Sequence, residues 1–183
     1  MSIKHGFTTV LIILMAATRF HYGEGHENWP DASLAVFFLA GYLSSRISNL
    51  VGWLGLAVAI DLLAVTVGGV SSYCLTPAYA ALLPAYAGVW LAGAVCRFRQ
   101  WSPFHPALIG YLLLGCTGAF ILSETGFYYY SGQVQVDALH YAEGMIRYYP
   151  AYILPSLIYT AALLLMNHVI RRQEDGRLAD TGQ

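Results

Sequence analysis

The chain has 183 residues, of which 57% are hydrophobic and 10% charged, with a formal net charge of −1. Soluble domains carry about 25% charged residues, and nine basic and ten acidic side chains cannot cover a body of this size. An ordinary water-soluble domain is therefore excluded, as is a nucleic-acid binder, which needs a basic stripe for phosphates. Three cysteines without a CxxC spacing argue against a disulfide framework and against a structural zinc site. The mean hydropathy of +0.55 points to the lipid bilayer as the solvent.

Hydropathy divides the chain into six apolar segments, at 6–20, 32–45, 51–70, 78–95, 106–122 and 151–170. The third, fourth and sixth approach the ~20 residues that cross a bilayer. The first two are short, which a bundle accommodates by thinning the bilayer or burying the helix. The alternation of an outer-membrane barrel is absent. The expected fold is an all-α integral membrane protein, a single-domain six-helix bundle over 1–183 with a polar tail at 171–183. The first segment starts like a signal peptide, with Lys4 before an apolar run. Thr18-Arg19-Phe20-His21-Tyr22 follows instead of a small-x-small cleavage site, so the segment reads as a retained helix.

Lys4, Arg46, Arg97, Arg99, Arg171, Arg172 and Arg177 all fall at the N-terminus, the second and fourth connections, or the C-terminal tail. Arg19 and Arg147 fall on the other side. By the positive-inside rule both termini are cytoplasmic and the first, third and fifth connections face outward.

Those outward connections hold the candidate chemistry. The first contains His21, Glu24, His26, Glu27, Asn28 and Trp29; the third contains Gly68, Gly69 and Cys74. The fifth, read as a loop from 123 to 149, is rich in tyrosine: Tyr128, Tyr129, Tyr130, Tyr141, Tyr148 and Tyr149. An interfacial aromatic belt explains individual tyrosines. It does not explain glycines, histidines and a cysteine on the same side, which an outward ligand pocket does. Cys96 and Cys116 lie in apolar runs, where cysteine is a small buried hydrophobe. Cys74 lies in a loop, where its thiolate is a soft ligand for a transition metal. No second cysteine or spaced histidine pair accompanies it, so no protein-built metal site is expected. A metal at Cys74 would arrive inside a ligand that fills its other positions.

Asp61 stands midway along the third segment, where an aspartate costs about 2.5–3.5 kcal/mol on insertion scales. Such acids face the bundle interior and have a partner or a function. Arg147, entering the sixth segment through Tyr148-Tyr149-Pro150, is nominated as that partner or as a ligand contact. Gly55 with Ala59, Gly88 with Ala92, and Gly115 with Ala119 are small-xxx-small pairs that suit close helix contacts.

GxxxxGK[ST], HExxH and GxSxG motifs are all missing, which argues against nucleotide hydrolysis by a P-loop, a site-2-type metalloprotease and a serine hydrolase. A membrane enzyme using Cys74, a first-loop histidine and Asp61 is an alternative. Asp61 lies 13 positions before Cys74, and a helix rise of 1.5 Å per residue puts it well below the loop, which weighs against it. A haem or quinone subunit would want histidines inside the spans, whereas here they stand mostly at ends and loops.

Topology, size and these residues together resemble the substrate-binding S-component of energy-coupling-factor (ECF) vitamin transporters, and within it the cobalamin-specific BtuM type. The residues carrying the resemblance are His26 and Asn28-Trp29-Pro30, Asp61, Ser71-Ser72-Tyr73-Cys74, Tyr79 and Arg147. His21 is the other candidate for the first-loop histidine. The resemblance implies vitamin B12 uptake across the bacterial cytoplasmic membrane, with Cys74 on the cobalt and Asp61, Tyr79, Arg147, His26 and Asn28 around the corrinoid. The corrin ring supplies four equatorial nitrogens, which accounts for a lone thiolate on one axial position. Donation from that thiolate is expected to weaken the bond to the opposite ligand, so that bound cyanocobalamin loses cyanide. The small-residue pair that the family uses early in the first helix for docking an energising module is missing. Work with an ECF module and work alone both stay open, as does an S-component for another vitamin or metal.

Overall fold

The computed structural model describes residues 3–20, 30–67, 77–130 and 138–181, and all regular structure among them is helical. Six α-helices follow in order: α1 Ile3–Phe20, α2 Ser33–Leu43, α3 Ile47–Thr66, α4 Leu82–Phe98, α5 Pro106–Tyr130 and α6 Ala138–Thr181, with a 3₁₀ turn at Pro77–Ala81 before α4. Among the described residues, four stretches are long and apolar enough to cross a membrane: Ile47–Thr66, Tyr79–Phe98, Pro106–Tyr130 and Tyr141–Ile170. Their outward faces are apolar too, with Ile47, Val51, Leu63, Leu91, Leu114, Ile158 and Leu165 all exposed. Water would not tolerate that surface and lipid does. The protein is membrane-embedded.

The short second helix is the axis of the bundle. Every residue from Ser33 to Gly41 is buried, and α2 touches all five other α-helices. A helix that is apolar all round belongs in an interior. Eleven residues rise about 16 Å, too short to span the ~30 Å hydrocarbon core, and enclosure by its neighbours removes the need.

Close approach to α2 is made by two glycines. A Cβ at Gly41 would fall on the Trp90 carbonyl, 2.9 Å from its carbon and 3.0 Å from the Ala94 nitrogen. Gly93 mirrors it, meeting the Phe38 carbonyl carbon at 2.9 Å and the Tyr42 nitrogen at 3.0 Å. Neither glycine belongs to the small-residue pairs singled out in the sequence. Of those pairs, Gly115 does pack on α4, where its Cβ would sit 3.1 Å from that of Ala92. Gly55 and Gly88 face open space.

The fifth connection differs from its reading as a loop. Helix α5 continues to Tyr130 and α6 begins at Ala138, so Tyr128, Tyr129, Tyr130, Tyr141, Tyr148 and Tyr149 are helical. Pairing across the two antiparallel helices holds them there. Thr117 and Tyr149 share a hydrogen bond of 2.7 Å, Thr125 and Tyr141 one of 3.0 Å, and the rings of Tyr128 and Tyr141 meet edge to face at 4.4 Å. Pro150 and Pro155 lie inside α6, where each removes one backbone N–H from the helical ladder. The polar tail is helical as far as Thr181.

Replacing Gly41 or Gly93 with alanine should force α2 and α4 apart and cost about 1–3 kcal/mol, as overpacking does. Gly55→Ala should be neutral or slightly stabilising. Thermal unfolding in detergent reads the difference; equal melting temperatures for all three variants would contradict the crossing described.

Candidate functional site

Alternating helix direction brings the C-terminal ends of α1, α3 and α5 and the N-terminal ends of α2, α4 and α6 to one end of the bundle. Arg46, Arg97, Arg99 and Arg172 lie at the other end. Asp61 stands five residues before the end of α3, roughly 8 Å along the axis, and so nearer the membrane surface than a mid-span position.

Its partner is Arg19, at the last turn of α1, and not Arg147. Arg19 Nη1 forms an ion pair with Asp61 Oδ2, with side-chain exposures of 6% and 19%. Tyr79, on the 3₁₀ turn, donates to the same carboxylate oxygen at 2.6 Å. Arg19 Nη2 donates to Tyr86 Oη of α4 at 2.6 Å, and Arg19 Nε donates to Ser33 Oγ of α2 at 2.8 Å. Ser33 Oγ in turn donates to Asp31 Oδ1 at 2.6 Å, and its backbone N–H donates to the same atom at 2.9 Å. Phe37 stacks on Tyr86 at 4.6 Å, with the Arg19 guanidinium 5.3 Å from the Tyr86 ring centre. One guanidinium therefore ties α1, α2, α3 and α4 together. Its planar fork of N–H donors suits this task, which a lysine could not perform.

Arg147 lies exposed on α6, with its guanidinium 5.9 Å from the ring centre of Tyr148. The correction has a simple cause. Asp61 faces α1 and the 3₁₀ turn, and the side chain able to reach it from there is Arg19. Charge balance could have found it, since a buried acid requires an enclosed base and Arg19 closes an apolar segment. Tyr86 and Ser33 carried no such signal. Both stand in runs of small and apolar residues and become polar partners only through tertiary contact.

Among the described residues, no hydrogen bond reaches Asp61 Oδ1. The carboxylate is neutralised through one oxygen, at a partly exposed position. It can accept an N–H from a ligand without giving up its structural bonds. Tyr152 and Tyr159 of α6 stand at the same end. Tyr152 lies against Phe120, ring centres 5.1 Å apart, and Tyr159 donates to the Pro30 carbonyl at 3.1 Å. The structure thus brings Asp61 and Tyr79 together. Cys74, His26, Asn28 and His21 lie outside the described residues. Cys96 and Cys116 are buried and free, as expected of small apolar side chains.

No protein-family model matches the chain, and no curated protein matches it significantly.

Removal of the Asp61 charge by Asp61→Asn should leave Arg19 enclosed without its counter-ion and cost about 3–5 kcal/mol. Tyr79→Phe should cost about 1.5–3 kcal/mol, the range for a hydrogen bond to a charged group. Arg147→Ala should stay within ~0.5 kcal/mol, as surface changes do. Unfolding in detergent measures all three, and an Arg147→Ala loss as large as that of Asp61→Asn would contradict the pairing.

Proposed function

We propose that this membrane protein binds a corrinoid at the Asp61 end of its bundle and carries it across the bacterial cytoplasmic membrane. In this reading it is a six-helix subunit of the ECF S-component kind, with both termini cytoplasmic and the Asp61 end outward. The observation that carries the reading is the half-satisfied carboxylate. Arg19 and Tyr79 hold Asp61 in place through one oxygen, and no donor among the described residues takes the other, which can accept an amide N–H, the group that edges a corrin ring. The tyrosines of α5 and α6 supply flat apolar faces with polar tips, suited to a large ring carrying amides. The basic residues gathered at the opposite end support the orientation.

Tyr79, five residues after Cys74, and Asp61 are the positioning groups. His26 or His21, Asn28 and Arg147 complete the contacts. Cys74 is the axial ligand: its thiolate donates an electron pair to Co(III), and cyanide leaves from the opposite face with its own bonding pair. Commitment of Asp61 Oδ2 to Arg19 and Tyr79 weighs against the enzyme alternative, in which the carboxylate would orient a histidine. An ECF module of a transmembrane component and ATPases, or no module, completes the transport step.

The test is the visible spectrum of detergent-purified protein incubated with cyanocobalamin, wild type beside Cys74→Ala and Cys74→Ser. A bound corrinoid with a shifted spectrum that both variants lose is the expected result. Retention of no corrinoid by the wild type would overturn the reading. Cyanide release by the serine variant at the wild-type rate would remove the thiolate from the chemistry.

A further inference from the structure

The end of the bundle opposite Asp61 contains a cavity of about 750 Å³, within the range of small-ligand sites. Arg97, Gln100, Trp101, Asn167 and His168 line it, along with Phe98, and no acidic side chain among the described residues does. The polar side chains facing it are therefore rich in N–H donors. Arg97 uses one nitrogen on the Tyr42 carbonyl at 3.3 Å, which leaves further donors of its five.

The wall of this cavity is fixed. Tyr42 donates to the Trp101 carbonyl at 2.8 Å, and Trp101 stacks on His105 at 5.0 Å. The end of α4 closes through Trp101 N to Cys96 O at 3.2 Å and Gln100 N to Arg97 O at 2.9 Å. This closure puts Gln100 at φ 56°, a left-handed position that glycine occupies without strain. A side chain there costs about 1–2 kcal/mol, and this one ends in an amide at the cavity.

Depth and rim identify the ligand. All four membrane-crossing stretches among the described residues have one end here, two finishing at Phe98 and Ile170 and two starting at Ile47 and Pro106, so the cavity lies at headgroup level. Its rim is apolar: Phe98 is 83% exposed and Phe104 54% exposed, the latter edge-on to His168 at 5.1 Å. We propose that this cavity binds the phosphate of an anionic phospholipid, held by Arg97, His168 and Gln100, with the acyl chains running down past Phe98. Basic pockets between membrane helices take such headgroups. A soluble phosphate would use the same donors but gain nothing from the exposed aromatic rim.

Native mass spectrometry of the full chain in detergent, titrated with phosphatidylglycerol or phosphatidylcholine, tests this. The wild type should retain phosphatidylglycerol at least about tenfold better, and Arg97→Gln combined with His168→Gln should abolish the preference. Gln100→Gly relieves the left-handed backbone while removing the amide, so it should fold at least as well and still lose part of the preference. Excess inorganic phosphate separates the two sources. Lipid that stays bound supports the assignment; lipid displaced by phosphate would assign the site to a soluble phosphate and overturn it. Equal retention of both lipids by the wild type, or an undiminished preference in the folded variants, would also overturn it.

Discussion

A guanidinium and a carboxylate enclosed in one bundle set the terms for the rest of this molecule. Either charge alone is expensive in a low-dielectric interior, and together they are tolerable only with good geometry and full hydrogen bonding. Arg19 meets that condition by reaching three elements besides its own: Asp61 on α3, Tyr86 on α4 and Ser33 on α2. The network therefore fixes how four helices end relative to one another. It also fixes the 3₁₀ turn, through Tyr79. Energetically such a pair supplies specificity more than stability, because a well-packed apolar substitute could replace it at little cost. Its value lies in holding one acidic oxygen at a defined, partly exposed position.

The network depends in turn on the tight centre of the bundle. Ser33 lies at the start of α2, and α2 is held against α4 by the Gly41–Gly93 crossing. Without that backbone-to-backbone approach, Ser33 and Tyr86 would be too far apart to share one guanidinium. The two ends of the bundle thus do different work on a common frame. One carries the polar cluster around the Arg19–Asp61 pair, and the other a cavity lined by N–H donors.

Much of this was legible in the sequence. Hydropathy and charge asymmetry predict a helical membrane bundle with its basic residues at one end, and the cost of an intramembrane acid singles out Asp61. The partner of Asp61 was not legible from proximity in sequence, since Arg19 and Asp61 lie 42 positions apart and only the α1–α3 packing joins them. The extent of α5 and α6 was hidden for a different reason. Tyrosine-rich stretches suggest a loop when read singly, whereas Thr117–Tyr149 and Thr125–Tyr141 pairs stabilise them as helices. Gly41 and Gly93 carried no such signal, because neither has a second small residue four positions away within its own helix. Their function emerges only when the two helices are set against each other.

The most direct measurement is a double-mutant cycle on the ion pair, with Arg19→Met, Asp61→Leu and the combined variant unfolded in detergent. If the pair acts as one unit, Asp61→Leu leaves the buried Arg19 without its ion-pair partner, Arg19→Met leaves a partly exposed carboxylate without its own, and both lower stability. The combined change should then recover most of the loss, with a coupling of about 2 kcal/mol or more. Losses that simply add would contradict the claim that these two side chains organise the end of the bundle together.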